Sequence, residues 1–238
     1  FTCSSREQIL VFTNKLRVIT LKVSVLELCD PSANGRFIGN YFSDFSDDER
    51  AVCVLPVAKG RDLLFVSRYG SIRRTTYDNM TTILSRGILY YPDTEPCAAI
   101  LSVADKDTVL IGTNDGRALR FEISDALRCT GSKTSLGVCG IKMIDDSHVV
   151  SASVLGGAHL ETQEDRAAWV AGTMPEPQQS EADKSASLIL TVLEDGNAKI
   201  FMSHDIPPQS RGGKGLMFIR ERKPISYIGS IPQSGVFI

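Results

Sequence analysis

The run Gln209-Ser210-Arg211-Gly212-Gly213-Lys214-Gly215 gathers anion-binding groups within seven residues. A guanidinium and an ammonium flank two glycines, and a third glycine follows. Glycine has no side chain, so a polyanion can come close to its main-chain N–H groups. Successive N–H groups can then form an anion-holding nest. Arg211 and Lys214 would add two full charges at its lip. The chemistry indicated is phosphate holding, with no bond made or broken. It is not a nucleotide P-loop: the Gly-x4-Gly-Lys-Ser/Thr spacing is missing, since Gly215 and Leu216 follow the lysine. The same composition also describes a flexible, glycine-rich surface loop. Both readings remain open on these residues alone.

Other chemistries have little to stand on. The cysteines at 3, 29, 53, 97, 129 and 139 form no C-x-x-C pair, so neither a zinc knuckle nor a redox motif is supported. Cys53 and Cys97 sit in apolar runs, and all six read as reduced and structural, which favours an intracellular setting. His148, His159 and His204 show no ligand spacing. No triad, carboxylate pair or metal cluster appears at a repeated position. The expectation is no catalytic residue, no metal and no cofactor in this segment.

The 238 residues are 42% hydrophobic and 23% charged, ordinary for a globular protein, and no apolar run is long enough to cross a membrane as a helix. The start, Phe1-Thr2-Cys3-Ser4-Ser5-Arg6, has neither an initiator methionine nor a signal pattern, so the chain reads as a piece of something longer. Net charge is −2, whereas nucleic-acid binders are usually basic. Residues 159–187 carry six acids against two bases, so the remainder is slightly basic. A DNA surface would therefore be a local stripe and not a whole-domain field.

The elements that must position the glycine-rich run are repeats. An apolar strand, a turn and a second strand with basic residues recur four times, at 8–19, 62–73, 108–120 and 188–199. Asp115-Gly116 and Asp195-Gly196 are hairpin turns, where positive φ is tolerated. Leu16 stands where the other copies have glycine, which predicts a strained or altered turn or a shifted register. A second glycine follows 17–21 residues later, at Gly35, Gly87, Gly137 and Gly215. Each leads a strand-like run: Arg36-Phe37-Ile38, Ile88–Tyr91, Val138–Ile141 and Leu216–Ile219. A fourth run closes each unit, at 51–55, 98–103, 149–154 and 225–228.

Units of four short strands imply a bladed, radially arranged all-β fold. The repeats span about 8–57, 62–104, 108–156 and 188–231. Residues 157–187 read as a polar, acidic insertion with the composition of a disordered excursion and a short helix around Gln163–Val170. Gly235-Val236-Phe237-Ile238 looks like the opening of another strand, so the array reads as incomplete at both ends.

These repeats resemble those of the C-terminal domain of bacterial type IIA topoisomerase A subunits, DNA gyrase and topoisomerase IV. Leu10-Val11-Phe12-Thr13-Asn14-Lys15-Leu16-Arg17-Val18 is similar to the family's Leu-Phe-Phe-Thr-Asn-x-Gly-Arg-Val segment, and Gly70–Thr75 to its Gly-x-x-Lys-Arg-Thr turn. Residues 209–215 match the gyrase A box, Gln-Arg-Arg-Gly-Gly-Lys-Gly, except that Ser210 replaces an arginine. The box lies in the last visible repeat, where the usual box is in the first. It favours gyrase over topoisomerase IV.

The resemblance implies a β-pinwheel: propeller-like blades whose strands are exchanged between neighbouring repeats. It implies non-sequence-specific binding, bending and wrapping of double-stranded DNA on a basic rim. Wrapping would support ATP-dependent negative supercoiling by the whole enzyme, an A2B2 assembly with the gyrase B subunit. Catalysis, ATP and Mg belong to other domains. A bacterial cytoplasmic or plastid-type organellar setting follows. The candidate DNA-binding residues are Gln209, Arg211, Gly212, Gly213, Lys214 and Gly215, with Arg73, Arg74, Arg117, Arg120, Lys199, Arg86 and Lys133. Arg73 and Lys199 sit three past the turn glycine and Arg120 one further, which would set cations at a similar height on successive blades. The alternatives are a topoisomerase IV domain and a WD-type interaction propeller. The latter lacks its Gly-His and Trp-Asp signatures here.

Overall fold

The computed structural model describes residues 3–81, 87–90, 96–132, 135, 137–155, 168, 173, 175, 187–220 and 223–231. The strands are β1 Gln8–Thr13, β2 Arg17–Lys22, β3 Ala51–Pro56, β4 Asp62–Ser67, β5 Ser71–Thr76, β6 Ile88–Leu89, β7 Cys97–Val103 and β8 Thr108–Thr113. They continue as β9 Arg117–Glu122, β10 Val138–Cys139, β11 Val149–Leu155, β12 Leu188–Leu193, β13 Ala198–Met202, β14 Leu216–Met217 and β15 Ile225–Ile231. The fold is all-β, as the repeats require.

The sheets run β3-β1-β2-β6, β10-β5-β4-β7, β11-β8-β9-β14 and β13-β12-β15, called here blades one to four. Each repeat supplies three strands of its own blade. Its fourth, a two-residue strand led by a positive-φ glycine, crosses to the blade before. Thus Ile88 pairs with Val18, Val138 with Ile72 and Leu216 with Ala118. This is the strand exchange of a pinwheel.

The hairpin strands are apolar on both faces because each sheet lies between neighbours. In β4, Leu63 and Phe65 pack towards blade one with Leu10, Phe12 and Tyr90. Leu64 and Val66, on the opposite face, pack with Val109, Ile111 and Leu119 of blade three. Leu110 in turn meets Ile189 and Ile228 of blade four. β11 and β15 are tied by Ser151, whose Oγ donates to Ile228 O at 2.7 Å and accepts from Ile228 N–H at 2.8 Å.

Leu16 takes φ +58°, so the first turn is strained, yet Phe12 still faces Val18 in the register of the other hairpins. Arg36-Phe37-Ile38 is not a strand. A strand needs a partner edge, and no described blade precedes blade one to receive it. Ile38–Tyr41 instead forms a 3-10 turn, and Ile38, Tyr41 and Phe42 fold over Ile9, Val11 and Leu21. The insertion lies outside the described residues apart from Ala168, Thr173, Pro175 and Ser187, as do Arg86, Lys133 and residues 232–238.

Candidate nucleic-acid interface

The glycine-rich box spans the outer edges of blades two and three. Gln209 N–H donates to Arg120 O in β9 at 2.8 Å, and Gly212 N–H donates to Gly140 O, just past β10, at 2.7 Å. Gly213 N–H donates to Ser210 O at 3.3 Å, and Gly213 O accepts from Lys142 N–H at 2.8 Å. The Arg211 guanidinium donates to Cys139 O at 2.7 Å. These bonds correct the open-nest expectation. Amides of Gln209, Gly212 and Gly213 are spent on the protein's own carbonyls, because the box also has to join two blades. Gly212 and Gly215 stand at φ +80° and +69°, and a Cβ on Gly215 would sit 3.0 Å from Ala118 O. Gly215 thus serves close backbone approach, and the box is folded as a clamp between two blades.

Clamping fixes where its charges point. Lys214 is exposed and Arg211 half-buried, and neither is among the ion pairs of the described residues. Arg117 is half-buried, pairs with Asp115 at 3.2 Å and reaches Gly215 O at 3.5 Å, so it braces the box with much of its charge already answered. Lys199 is exposed on β13.

Three sequence candidates are not on the rim. Arg73 and Arg120 are each 1% exposed and Arg74 is 7% exposed. Both faces of β5 and β9 are covered by neighbouring blades, so neither strand parity offers solvent. Arg73 donates to Ser132 O at 3.2 Å, to Ser135 O at 3.4 Å and to Tyr90 O, and its Cζ lies 4.8 Å from the Phe65 ring centroid. Arg120 donates to Ser203 O and Ile206 O, each at 3.0 Å. These guanidiniums hold the segments that carry exchanged strands between blades. Arg74 pairs with Asp62 at 2.7 Å and Asp105 at 2.8 Å. Burial works against its charge, but Asp105 and Asp62 outweigh that and push its pKa up, so it stays cationic.

The exposed cations that do align were not singled out in the sequence. Lys142 and Arg220 are both exposed and stand at the same place in successive repeats, five residues past the exchange glycine. In both, the two preceding residues cap the turn glycine of the previous blade: Gly140 and Ile141 N–H donate to Gly70 O, and Phe218 and Ile219 N–H to Gly116 O. Lys223 is also exposed, and with Arg220 and Lys199 it lines a cavity of about 510 Å³ whose one acid is Asp195. The signal available was the offset from the second glycine, not the first. Among the described residues, no group of three His, Cys, Asp or Glu is placed to hold a metal.

Blades that pass a strand to the neighbour before them define a β-pinwheel, the propeller-like class anticipated above. Residues 107–155 and 189–223 match the family described as DNA gyrase C-terminal domain, beta-propeller. The chain is 28% identical over 254 residues to the DNA gyrase A subunit of Rickettsia prowazekii (strain Madrid E), an alignment covering 91% of this chain and 27% of that protein. It spans about a quarter of the length of that curated relative. It superposes on the crystal structure of the C-terminal domain of DNA topoisomerase IV with TM-score 0.72 and 17% identity, over 97% of this chain and 65% of that one. For the structure of the DNA gyrase A C-terminal domain the values are 0.50 and 13%, over 97% and 84%. At those identities the superpositions speak to the fold alone. The fold is similar to that of the C-terminal domains of topoisomerase IV and DNA gyrase A. The third and fourth repeats are the part similar in sequence to the DNA gyrase C-terminal domain.

Proposed function

We propose that this chain binds and bends duplex DNA as the C-terminal domain of a gyrase A-type subunit. The observation that carries the reading is the alignment of Lys142 and Arg220 on successive blades beside Arg211 and Lys214 of the box. DNA would lie along this outer edge, held by phosphate contacts without base readout. In the whole enzyme, with gyrase B, ATP and Mg supplied by other parts, bending here would feed strand passage and negative supercoiling. The box supports gyrase over topoisomerase IV. The higher superposition score on the latter bears on fold only.

Bending a short site by 40–90° costs about 1–6 kcal/mol, which several phosphate contacts must together offset. Losing two cations should therefore abolish bending before it abolishes weak binding. The test is fluorescence energy transfer between the ends of a short duplex, with the protein and its Arg211→Gln/Lys214→Gln variant. The reading expects loss of the bent state with residual low-salt binding. Unchanged bending would refute the assignment of the box.

A further inference from the structure

We infer that the exchanged strands β10 and β14 press an apolar strip against the deoxyribose edges of bound duplex DNA, between the cations that hold its phosphates. This rests on the DNA-binding reading and adds to it a contact that charge does not supply.

The strip recurs in step with the cations. Gly137-Val138-Cys139-Gly140-Ile141-Lys142 and Gly215-Leu216-Met217-Phe218-Ile219-Arg220 align from their exchange glycines. The fourth residue past the glycine, Ile141 or Ile219, is buried between blades. The fifth, Lys142 or Arg220, is exposed. The first two are exposed as well: Val138 at 44%, Leu216 at 42%, Met217 at 37%, and Cys139. Successive residues of a strand point to opposite faces, so each blade edge carries an apolar side chain on either side. The inner hairpin strands are apolar because neighbouring blades cover both faces. That reason does not reach β10 and β14, whose four residues belong to none of the buried clusters. Exposed apolar patches mark contact surfaces. Blade one gives the contrast. Ile88, first after Gly87, packs against the cluster of Leu10 and Phe12, and the fifth position there is Pro92 and not a cation.

The backbone holds the strip in place. A Cβ on Gly137 would sit 2.0 Å from Ile72 O, and one on Gly215 3.0 Å from Ala118 O, so each exchanged strand is seated closely on its blade. The box joins the two strands. A Cβ on Gly212 would lie 3.9 Å from Cys139 Sγ, and Gly215 leads straight into Leu216. Arg211 and Lys214 therefore lie on a segment that runs from one apolar pair to the other. A duplex is striped in the same way, with charged phosphates separated by sugars whose C–H edges are apolar. Cations alone would meet the phosphates and leave those edges wet. Apolar side chains between the cations remove water from both surfaces. The cations in step with the strip match a polyanion, which favours duplex DNA over an apolar protein face.

The variant Val138→Thr/Leu216→Gln/Met217→Gln tests this. It changes no charge and alters exposed positions only, and circular dichroism verifies that it folds. Fluorescence anisotropy on a short DNA duplex, over a series of salt concentrations, should show affinity lower by about tenfold at every salt. The slope of log affinity against log salt should stay as it was, because no phosphate contact is lost. The loss should be smaller on an RNA duplex of the same sequence, whose 2′-hydroxyls line the groove. In the unaltered chain, where no folding defect can interfere, duplex DNA should slow alkylation of Cys139 by iodoacetamide, read by mass spectrometry. Unchanged affinity, a shallower slope, an equal loss on both duplexes, or Cys139 labelled as fast with DNA as without it would each overturn the inference. A steep slope in the unaltered chain would then leave the DNA-binding reading standing. A slope near zero in the unaltered chain would remove that reading, and this inference with it.

Discussion

The guanidinium of Arg211 donates to the carbonyl oxygen of Cys139 at 2.7 Å, across 72 positions of sequence. Arg211 belongs to the box of the fourth repeat, and Cys139 to the strand that the third repeat lends to the second blade. One arginine therefore fastens a borrowed strand and puts a charge on the outer edge. Lys214, three residues on, has only the second task. Lys214→Gln should weaken duplex binding and leave the urea midpoint within about 0.5 kcal/mol of the unaltered protein. Arg211→Gln should weaken binding and lower stability by about 1 kcal/mol, the net worth of one hydrogen bond that water can partly replace. Paired urea titrations and binding isotherms separate the two.

The buried arginines predict the opposite pattern. Arg73→Met leaves the carbonyls of Ser132, Ser135 and Tyr90 without this donor. It should cost about 3 kcal/mol in urea denaturation, since the buried Tyr90 carbonyl loses a charged donor it cannot replace with water. The salt dependence of DNA binding by the folded variant should stay as it was, because Arg73 touches no solvent-facing path.

The turn glycines differ in how closely other backbone approaches them. Gly116 has φ +89°, and a Cβ there would lie 2.1 Å from Ile219 O, whereas Gly196 has φ +86° with nothing within 4 Å. Gly196→Ala should cost only the conformational penalty, about 1 kcal/mol. Gly116→Ala adds a backbone clash between blades and should cost about 3 kcal/mol or more. Thermal or urea denaturation of the pair measures the difference.

Much of this architecture was legible in the sequence, for physical reasons. Runs such as Leu63–Val66 are apolar at every position because both faces are covered, and Asp-Gly turns mark two of the hairpin apices. The strand exchange was legible only through the resemblance to the type IIA topoisomerase domain; the second glycines marked where each exchanged strand begins, not which blade receives it. The rim did not follow. A basic residue such as Arg73 or Arg120 reads as solvent-facing until a neighbouring blade is placed over it, and no single repeat carries that information. Lys142 and Arg220 were hidden for a related reason: their common position counts from the exchange glycine, while the turn glycine offered the more obvious origin. Arg36-Phe37-Ile38 failed as a strand because strands need an edge, which sequence pattern alone does not supply.

Acid should expose one structural ion pair. Glu49 is buried and receives the Arg17 guanidinium at 2.9 Å and 2.5 Å. Burial alone would raise its pKa, but Arg17 and the Thr13 hydroxyl outweigh it and hold the carboxyl below the usual glutamate range. A depressed folded-state pKa gives stability that is present above the unfolded value, about 4.3, and is lost as pH falls through the folded one. Stability should decline by about 1 kcal/mol from this pair across that acid window. Glu49→Gln should remove that part of the decline and be less stable at neutral pH, as urea midpoints at several pH values would record.

The most direct test of the DNA-binding account is the salt dependence of duplex affinity. Each phosphate neutralised contributes a slope of about −0.9 in log affinity against log salt. The account predicts a slope of several units for the unaltered chain, about the same for Arg73→Met, and shallower by about two units for Lys142→Gln/Arg220→Gln. A slope near zero, or one that the Lys142→Gln/Arg220→Gln variant leaves unmoved, would contradict it.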